Sequence, residues 1–302
     1  MPEVGNRFAG ESSLMTHEEI VRFAAIFHRL GVRKIRLTGG EPTTRRDLVP
    51  IVRDLARLDL PGGLALSTNG ILFGPMAEEL FDAGLDRVNI SLDALSDDGF
   101  KLMSRRGQLA EVLEAVDRAL SLPFRSVKLN AVIIRGYNED EIPRLVRLAR
   151  ERPIEVRFIE FMPFGTNDWR QENLIRADEI RSIIEKDEAL TPVPKGDFPG
   201  PAEVFTGSSW LGRIGFITPI SDRFCARCNR LRLTADGKVK ACLFGLEDVD
   251  WLGPSRSGAG DDELISILQG AVWRKEERHP LQSLMEKDSL LLHARNMNQI
   301  GG

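Results

Sequence analysis

The sequence predicts an α/β fold built as an incomplete parallel barrel, with a metal-binding region toward the C-terminal end. Three observations carry that expectation. Strand-like and helix-like segments alternate from about residue 16 to residue 161, the rhythm of right-handed βαβ units around a parallel sheet. Polar clusters fall at or just past the strand ends, at Thr38-Gly39-Gly40-Glu41, Ser67-Thr68-Asn69-Gly70, Ser91-Leu92-Asp93 and Glu160-Phe161-Met162. A barrel gathers such ends at one mouth, whereas an open doubly wound sheet gathers only those at its switch point. All three cysteines then lie in one short stretch, Cys225, Cys228 and Cys242.

The elements follow in order. Residues 1–15 are polar and aperiodic and read as a loop. Thr16 with Glu19 forms a capping box, and Ile20, Phe23, Ala24, Phe27 and Leu30 share one helical face until Gly31 ends the run. Residues 32–37 are a short strand, 47–58 an amphipathic helix, 64–67 a strand, 76–83 a helix closed by Gly84, and 87–92 a strand. The beat continues with a helix near 110–120, a strand over 127–134, a helix over 140–150 and a strand over 155–161. A helix over 177–187 leads into the Pro- and Gly-rich stretch 191–201. That stretch divides the chain into a partial barrel, residues 1–190, and a second region of short strands, residues 191–302. A helical segment runs from residue 261 to about 277, and the tail ends in Gly301-Gly302.

Composition narrows the function. With 41 basic against 45 acidic residues the net charge is -4, so an anionic ligand has to be met by a local basic cluster and not by bulk positive charge. Binding to nucleic acid is therefore not expected. No apolar run reaches membrane-spanning length, and Met1-Pro2-Glu3-Val4-Gly5 has neither a basic nor an apolar leader pattern. The expected compartment is the cytoplasm, where three unpaired thiols would stay reduced.

The cysteines are spaced C-x2-C, thirteen residues, C. A disulfide would strand one of three thiols, so a metal is the simpler reading. Between the second and third lie Arg230-Leu231-Arg232-Leu233, an Asp236-Gly237 turn and Lys238-Val239-Lys240, which reads as a hairpin that folds Cys242 back beside the C-x2-C loop. Two metal readings stand: an iron-sulfur cube with three protein ligands and an open iron, or a zinc site completed by Asp222 or a distant residue. The histidines, His17, His28, His279 and His293, are not near in sequence.

Arg230 and Arg232 are two residues apart and share a strand face beside that site, an arrangement suited to phosphate; alone they could equally be solvated. Lys34 and Arg36, Lys128 and Asn130, and Glu155 and Arg157 repeat the i, i+2 spacing on earlier strands. Cations inside a barrel are costly unless an anion meets them, so together they suggest a phosphorylated substrate in the lumen. Met162 read by itself is ordinary core packing.

These motifs, with Arg157-Phe158-Ile159-Glu160-Phe161-Met162 and the terminal Gly301-Gly302, resemble the GTP 3',8-cyclase family of molybdenum cofactor biosynthesis over essentially the whole chain. The family is of the radical S-adenosylmethionine type, with an incomplete barrel and two 4Fe-4S clusters. The resemblance implies that Cys225, Cys228 and Cys242 hold the second cluster, whose open iron takes the guanine base. Arg36, Ser67, Lys128, Arg230 and Arg232 match positions that hold GTP, with Arg157 nearby; Ser67 stands where threonine is common. Gly40, Ser91 and Met162 match positions around S-adenosylmethionine. The implied reaction is that an electron from the first cluster cleaves S-adenosylmethionine, the radical takes a hydrogen from ribose C3' of GTP, and that carbon attacks guanine C8. Cyclic pyranopterin monophosphate synthase is the implied next enzyme, and a homodimer is an assembly compatible with the resemblance. One feature departs from it. The family's N-terminal C-x3-C-x2-C has no counterpart, and Met1-Pro2-Glu3 resembles the tripeptide that follows that motif. The expectation is a chain begun at an internal methionine, without the first barrel strand and cluster loop; a paralogue that lost them is the other account. In either case a non-catalytic GTP-binding or partner-binding remnant is the alternative to an active cyclase.

Overall fold

The structure, a computed structural model, describes residues 11–104, 107–164, 167, 169–222 and 224–279. The terminal glycines, His293 and most of the expected N-terminal loop lie outside the described residues.

Among the described residues the first α-helix is α1 (His17–Arg29), with the anticipated capping box. The Thr16 N–H donates to Glu19 Oε2 at 2.8 Å, and the Glu19 N–H donates to Thr16 Oγ1 at 3.3 Å. There follow β1 (Ile35–Leu37), α2 (Leu48–Ala56), β2 (Leu64–Thr68), α3 (Phe73–Asp82), β3 (Arg87–Ser91), α4 (Asp97–Ser104), α5 (Leu109–Ser121), β4 (Ser126–Ile133), α6 (Ile142–Glu151), β5 (Glu155–Glu160) and α7 (Ala177–Ile184). Helix α4 was not anticipated. It buries only Phe100 and contains Gly99.

Beyond α7 come β6 (Thr191–Pro192), β7 (Glu203–Thr206), β8 (Arg213–Ile217), β9 (Arg232–Leu233), β10 (Lys238–Lys240), β11 (Val249–Asp250), α8 (Leu252–Arg256) and α9 (Asp261–Trp273). The main sheet has the order β1-β2-β3-β4-β5-β8-β7-β6. Its first six strands in that order are parallel, and β7 and β6 turn antiparallel at the far edge. The sheet is not closed: β1 and β6 stand at opposite edges. Strands that follow the Pro- and Gly-rich stretch thus extend the barrel sheet, and the separate layer is the small sheet β11-β10-β9.

Strand alternation decides what faces the lumen. On β4, Val127, Leu129, Ala131 and Ile133 are buried in the core between sheet and helices, which leaves Lys128 and Asn130 on the opposite face. Register then sets neighbours: Lys128 lies opposite Glu155, Asn130 opposite Arg157, and Ser91 opposite Asn130. Among the described residues no helix is long and apolar enough to cross a membrane.

A second core joins the chain's beginning to its end. Phe23 and Ile26 of α1 pack with Val239, Trp251, Leu252, Leu264, Leu268 and Ala271. Trp251 is fully buried, stacks on Phe23 with centroids 4.5 Å apart, and donates its indole N–H to the Leu264 carbonyl at 2.7 Å. Arg22 pairs with Asp261 at 2.9 Å across the same interface. The β9–β10 turn needs glycine twice over: Gly237 has φ 71°, and a Cβ there would stand 2.2 Å from Leu252 Cβ.

Trp251→Ala should remove this core's centre and leave the indole's acceptor unpaired. The expected loss of stability is about 3 to 5 kcal/mol in a urea titration; a loss below about 1 kcal/mol would show that the small sheet is held by something else.

Candidate active site

The strand C-termini meet at a mouth whose loops are tied by carboxylates. Glu41 is fully engaged: Oε1 accepts from the Thr43 N–H at 3.1 Å, Thr43 Oγ1 at 2.6 Å and Thr68 Oγ1 at 2.7 Å, and Oε2 accepts from the Asn69 N–H at 2.7 Å. It clamps the loop after β1 to the loop after β2. Beside it Gly39 has φ 144°, and a Cβ there would meet no atom within 4 Å, so space opens where Gly39-Gly40 presents its backbone. Ser91 is exposed at the end of β3. Across from it the Asn130 side-chain oxygen is buried without a partner, an acceptor that a ligand in the mouth could satisfy. Asp93 accepts the Val132 N–H at 2.8 Å, and burial pushes its carboxyl up to about 6.

Below this rim the lumen is crowded with cations. Glu155 receives both Lys128, at 3.0 Å, and Arg157, which is 4 % exposed. Burial alone would raise the Glu155 carboxyl, but Arg157 and Lys128 hold it below its ordinary value. Burial, with the Arg157 charge, pushes Lys128 down to about 8 despite its partner. Lys34 is also driven to about 8, by burial and then by Arg36, Arg87, Lys128 and Arg157. Arg36 keeps much of its surface open to solvent while protein surrounds it, as a side chain projecting into a water-filled cavity does. Burial and the charges of Arg157, Arg230 and Arg232 bring it down to about 10, still protonated at neutral pH. Among the described residues Lys34, Arg36 and Arg232 have no carboxylate partner. Ser67, on β2 near Arg36, accepts the Asn89 side-chain N–H at 3.2 Å.

The cysteine stretch is delivered to the same place. Cys225 opens a single 3-10 turn, and the Cys228 N–H donates to the Cys225 carbonyl at 3.0 Å. Leu233 pairs with Val239 and Arg232 with Lys240, so the expected hairpin carries Cys242 back toward the loop. Cys228 and Cys242 both lie within electrostatic reach of the Arg232 guanidinium, as does Arg230. All three thiols are free and half-buried. Burial alone would raise the Cys228 thiol, yet the Arg230 N–H and guanidinium with the Lys275 ammonium lower it. Arg230 itself lies over the Phe224 ring at 4.9 Å.

Glu160, 1 % exposed at the end of β5, fixes this arrangement from below. One oxygen accepts the Ile220 and Ser221 N–H groups at 3.0 Å each, and the other accepts the Ser221 hydroxyl. Phe164 stacks on Phe244 at 5.1 Å, with Met162 and Cys242 packed against the pair. Met162 therefore sits beside a cysteine, not in the main core.

Arg36, Lys128, Arg157, Arg230 and Arg232 thus converge as the sequence anticipates, the cysteines lie beside the last two, and Gly40, Ser67 and Ser91 stand at adjoining strand ends. The carboxylates Glu41, Glu155 and Glu160 were not singled out as site residues, although each is a charged residue at a strand end or in a strand. Among the described residues no three His, Cys, Asp or Glu groups are gathered for a single metal ion, and Asp222 is exposed. The three thiols, free and half-buried on one loop and its hairpin, are soft donors of the kind that iron-sulfur clusters take.

Comparison with known proteins agrees with this geometry. The family described as Radical SAM superfamily matches residues 3–149, and the one described as Molybdenum Cofactor Synthesis C matches residues 154–281. The chain is 41% identical over 303 residues to the GTP 3',8-cyclase of Syntrophomonas wolfei subsp. wolfei, an alignment covering 100% of this chain and 92% of that one. It is 42% identical over 302 residues to the GTP 3',8-cyclase of Moorella thermoacetica, with the same coverage. To the mitochondrial GTP 3',8-cyclase of Arabidopsis thaliana it is 42% identical over 279 residues, 92% of this chain and 72% of the other. Two family matches in sequence along the barrel and the cysteine region, with identity of this order over the full chain, place it: the chain belongs to the GTP 3',8-cyclase family of radical S-adenosylmethionine enzymes.

Proposed function

We propose that this chain binds GTP in the barrel mouth, with the triphosphate on Arg36, Lys128, Arg157, Arg230 and Arg232 and Ser67 alongside, as the substrate of the GTP 3',8-cyclase reaction of molybdenum cofactor biosynthesis. The observation that carries this reading is the set of mutually repelling cations, of which only Lys128 and Arg157 have a carboxylate partner, Glu155, among the described residues. Holding them together without an anion is costly, and a triphosphate supplies several negative charges on one compact group.

Cys225, Cys228 and Cys242 would hold a 4Fe-4S cluster beside Arg230 and Arg232, which suits the donor set. Gly40, Ser91 and Met162 would border S-adenosylmethionine, supported by the open space at Gly39 and the unpartnered Asn130 oxygen. When bound, these groups supply the radical chemistry of the superfamily. The chain's own part is to grip the phosphates, hold the ribose and base in one orientation, and exclude bulk water from the mouth. The product would pass to cyclic pyranopterin monophosphate synthase, in the cytoplasm. The sequence holds three cysteines, all at this site, so cysteine ligation provides for one cluster, and GTP binding without turnover is the second reading. Release of 5'-deoxyadenosine with dithionite and GTP separates the two.

Anaerobically reconstituted protein should bind GTP far more tightly than guanosine in calorimetry. Arg232→Ala should weaken GTP by about 1.5 to 3 kcal/mol, the worth of a hydrogen bond to a charged group, and leave guanosine nearly unaffected. Equal affinity for the two ligands would sink the proposal.

The depressed lysines set a pH dependence. Lys128 and Lys34 titrate near 8 in the free protein, and a bound anion restores their protonation, so binding takes up protons. GTP affinity should therefore decline as pH rises from about 7.5 to 9.5, and Lys128→Arg, which stays charged, should flatten the decline. A wild-type profile that is flat over that window would mean that neither lysine meets the phosphates.

A further inference from the structure

Lys275 lies just beyond α9, 47 residues along the chain from Cys228, and is not among the residues assigned above to GTP, S-adenosylmethionine or the cluster. Its ammonium stands 3.4 Å from the Cys228 carbonyl oxygen, 3.5 Å from the Arg230 carbonyl oxygen and 3.8 Å from Cys228 Sγ. An ammonium has three protons to donate, and these are three acceptors on one turn of chain. The neighbouring cation, Arg274, points elsewhere and pairs with Glu247 at 2.8 Å. Lys275 instead reaches the cysteine loop, and with Cys242, Glu247, Arg274 and His279 it lines a cavity of about 220 Å³.

We infer that Lys275 is a positioning residue for the metal centre. It fixes the backbone on both sides of Asn229, so that Cys228 and Arg230 keep their mutual geometry, and it sets a positive charge against the Cys228 sulfur. The inference rests on the assignment of a 4Fe-4S cluster to Cys225, Cys228 and Cys242. A donor and a cation beside a ligating sulfur favour the more negative, reduced state of a cluster and so raise its reduction potential. Such a contact also holds the sulfur where it can ligate, which matters because the Cys228 turn is short and its other support, the Arg230 guanidinium, is needed for phosphate.

The test compares reconstituted wild-type protein with Lys275→Met and Lys275→Arg, by iron and sulfide content, paramagnetic resonance of the reduced cluster and a mediated redox titration. Wild type should carry about four iron atoms per chain. Lys275→Met should show a more negative midpoint and an altered resonance line shape, and Lys275→Arg should restore most of both. If Lys275→Met loads no iron, Lys275→Gln, neutral but able to donate, is titrated in its place and should show the same negative shift. A loaded wild type with a neutral variant whose midpoint and spectrum are unchanged overturns this inference alone. A wild type that takes up no iron and sulfide overturns the cluster assignment, and the inference with it.

Discussion

Electrostatic repulsion inside the barrel is the constraint on which the rest of this molecule turns. Arg36, Lys128, Arg157 and Arg232 come from four strands, Arg230 just precedes the last of these, and the five feel one another's charge. Against them Glu155 offers one carboxylate, already shared by two of the five. Such a cluster opposes folding unless the scaffold is stable enough to impose it, and it lowers the cost of receiving an anion in proportion. The values of Lys128 and Lys34 are depressed by burial first, and the neighbouring cations add to it.

The scaffold imposes the cluster in two ways. Alternation on the parallel strands sends every second side chain to the lumen, so that cations on β1, β4 and β5 are gathered by register alone. The hairpin arginines need another device, because β9 is not part of the barrel. Glu160 ties the approach to Cys225 onto the end of β5, while Trp251 and α1 anchor the far side of the small sheet. Moving either anchor would separate Arg230 and Arg232 from Arg36. Glu41 and Glu160 are therefore structural supports of a cationic site, their oxygens satisfied by backbone N–H groups and hydroxyls.

Much of this was legible in the sequence, and for physical reasons. The βα rhythm is written in period 2 against period 3.6, and the capping box at Thr16 formed as read. The Asp236-Gly237 turn was legible because only glycine fits beside Leu252 at a positive φ. Lys128 and Asn130 were legible as a lumen pair because spacing fixes a strand face. What escaped were long-range partnerships. Glu160 bonds to residues 60 and 61 positions away, Lys275 to a residue 47 away, and neither spacing nor composition marks such a contact in advance. Helix α4 escaped because it is eight residues long with a glycine inside it, and glycine argues against a helix. Met162 looked like core because the sequence does not say which core; it packs on Phe164 and Phe244 beside Cys242.

The central claim is that relief of charge repulsion, more than recognition of a base, drives binding at the mouth. The direct measurement is thermal unfolding with inorganic tripolyphosphate, which carries the charge of the substrate's tail and none of its nucleoside. The account predicts a concentration-dependent rise in Tm in the manner of a ligand that binds only the folded state, weakened by added salt and lost in Arg36→Ala. No change in Tm at concentrations where GTP itself stabilises the protein would contradict it.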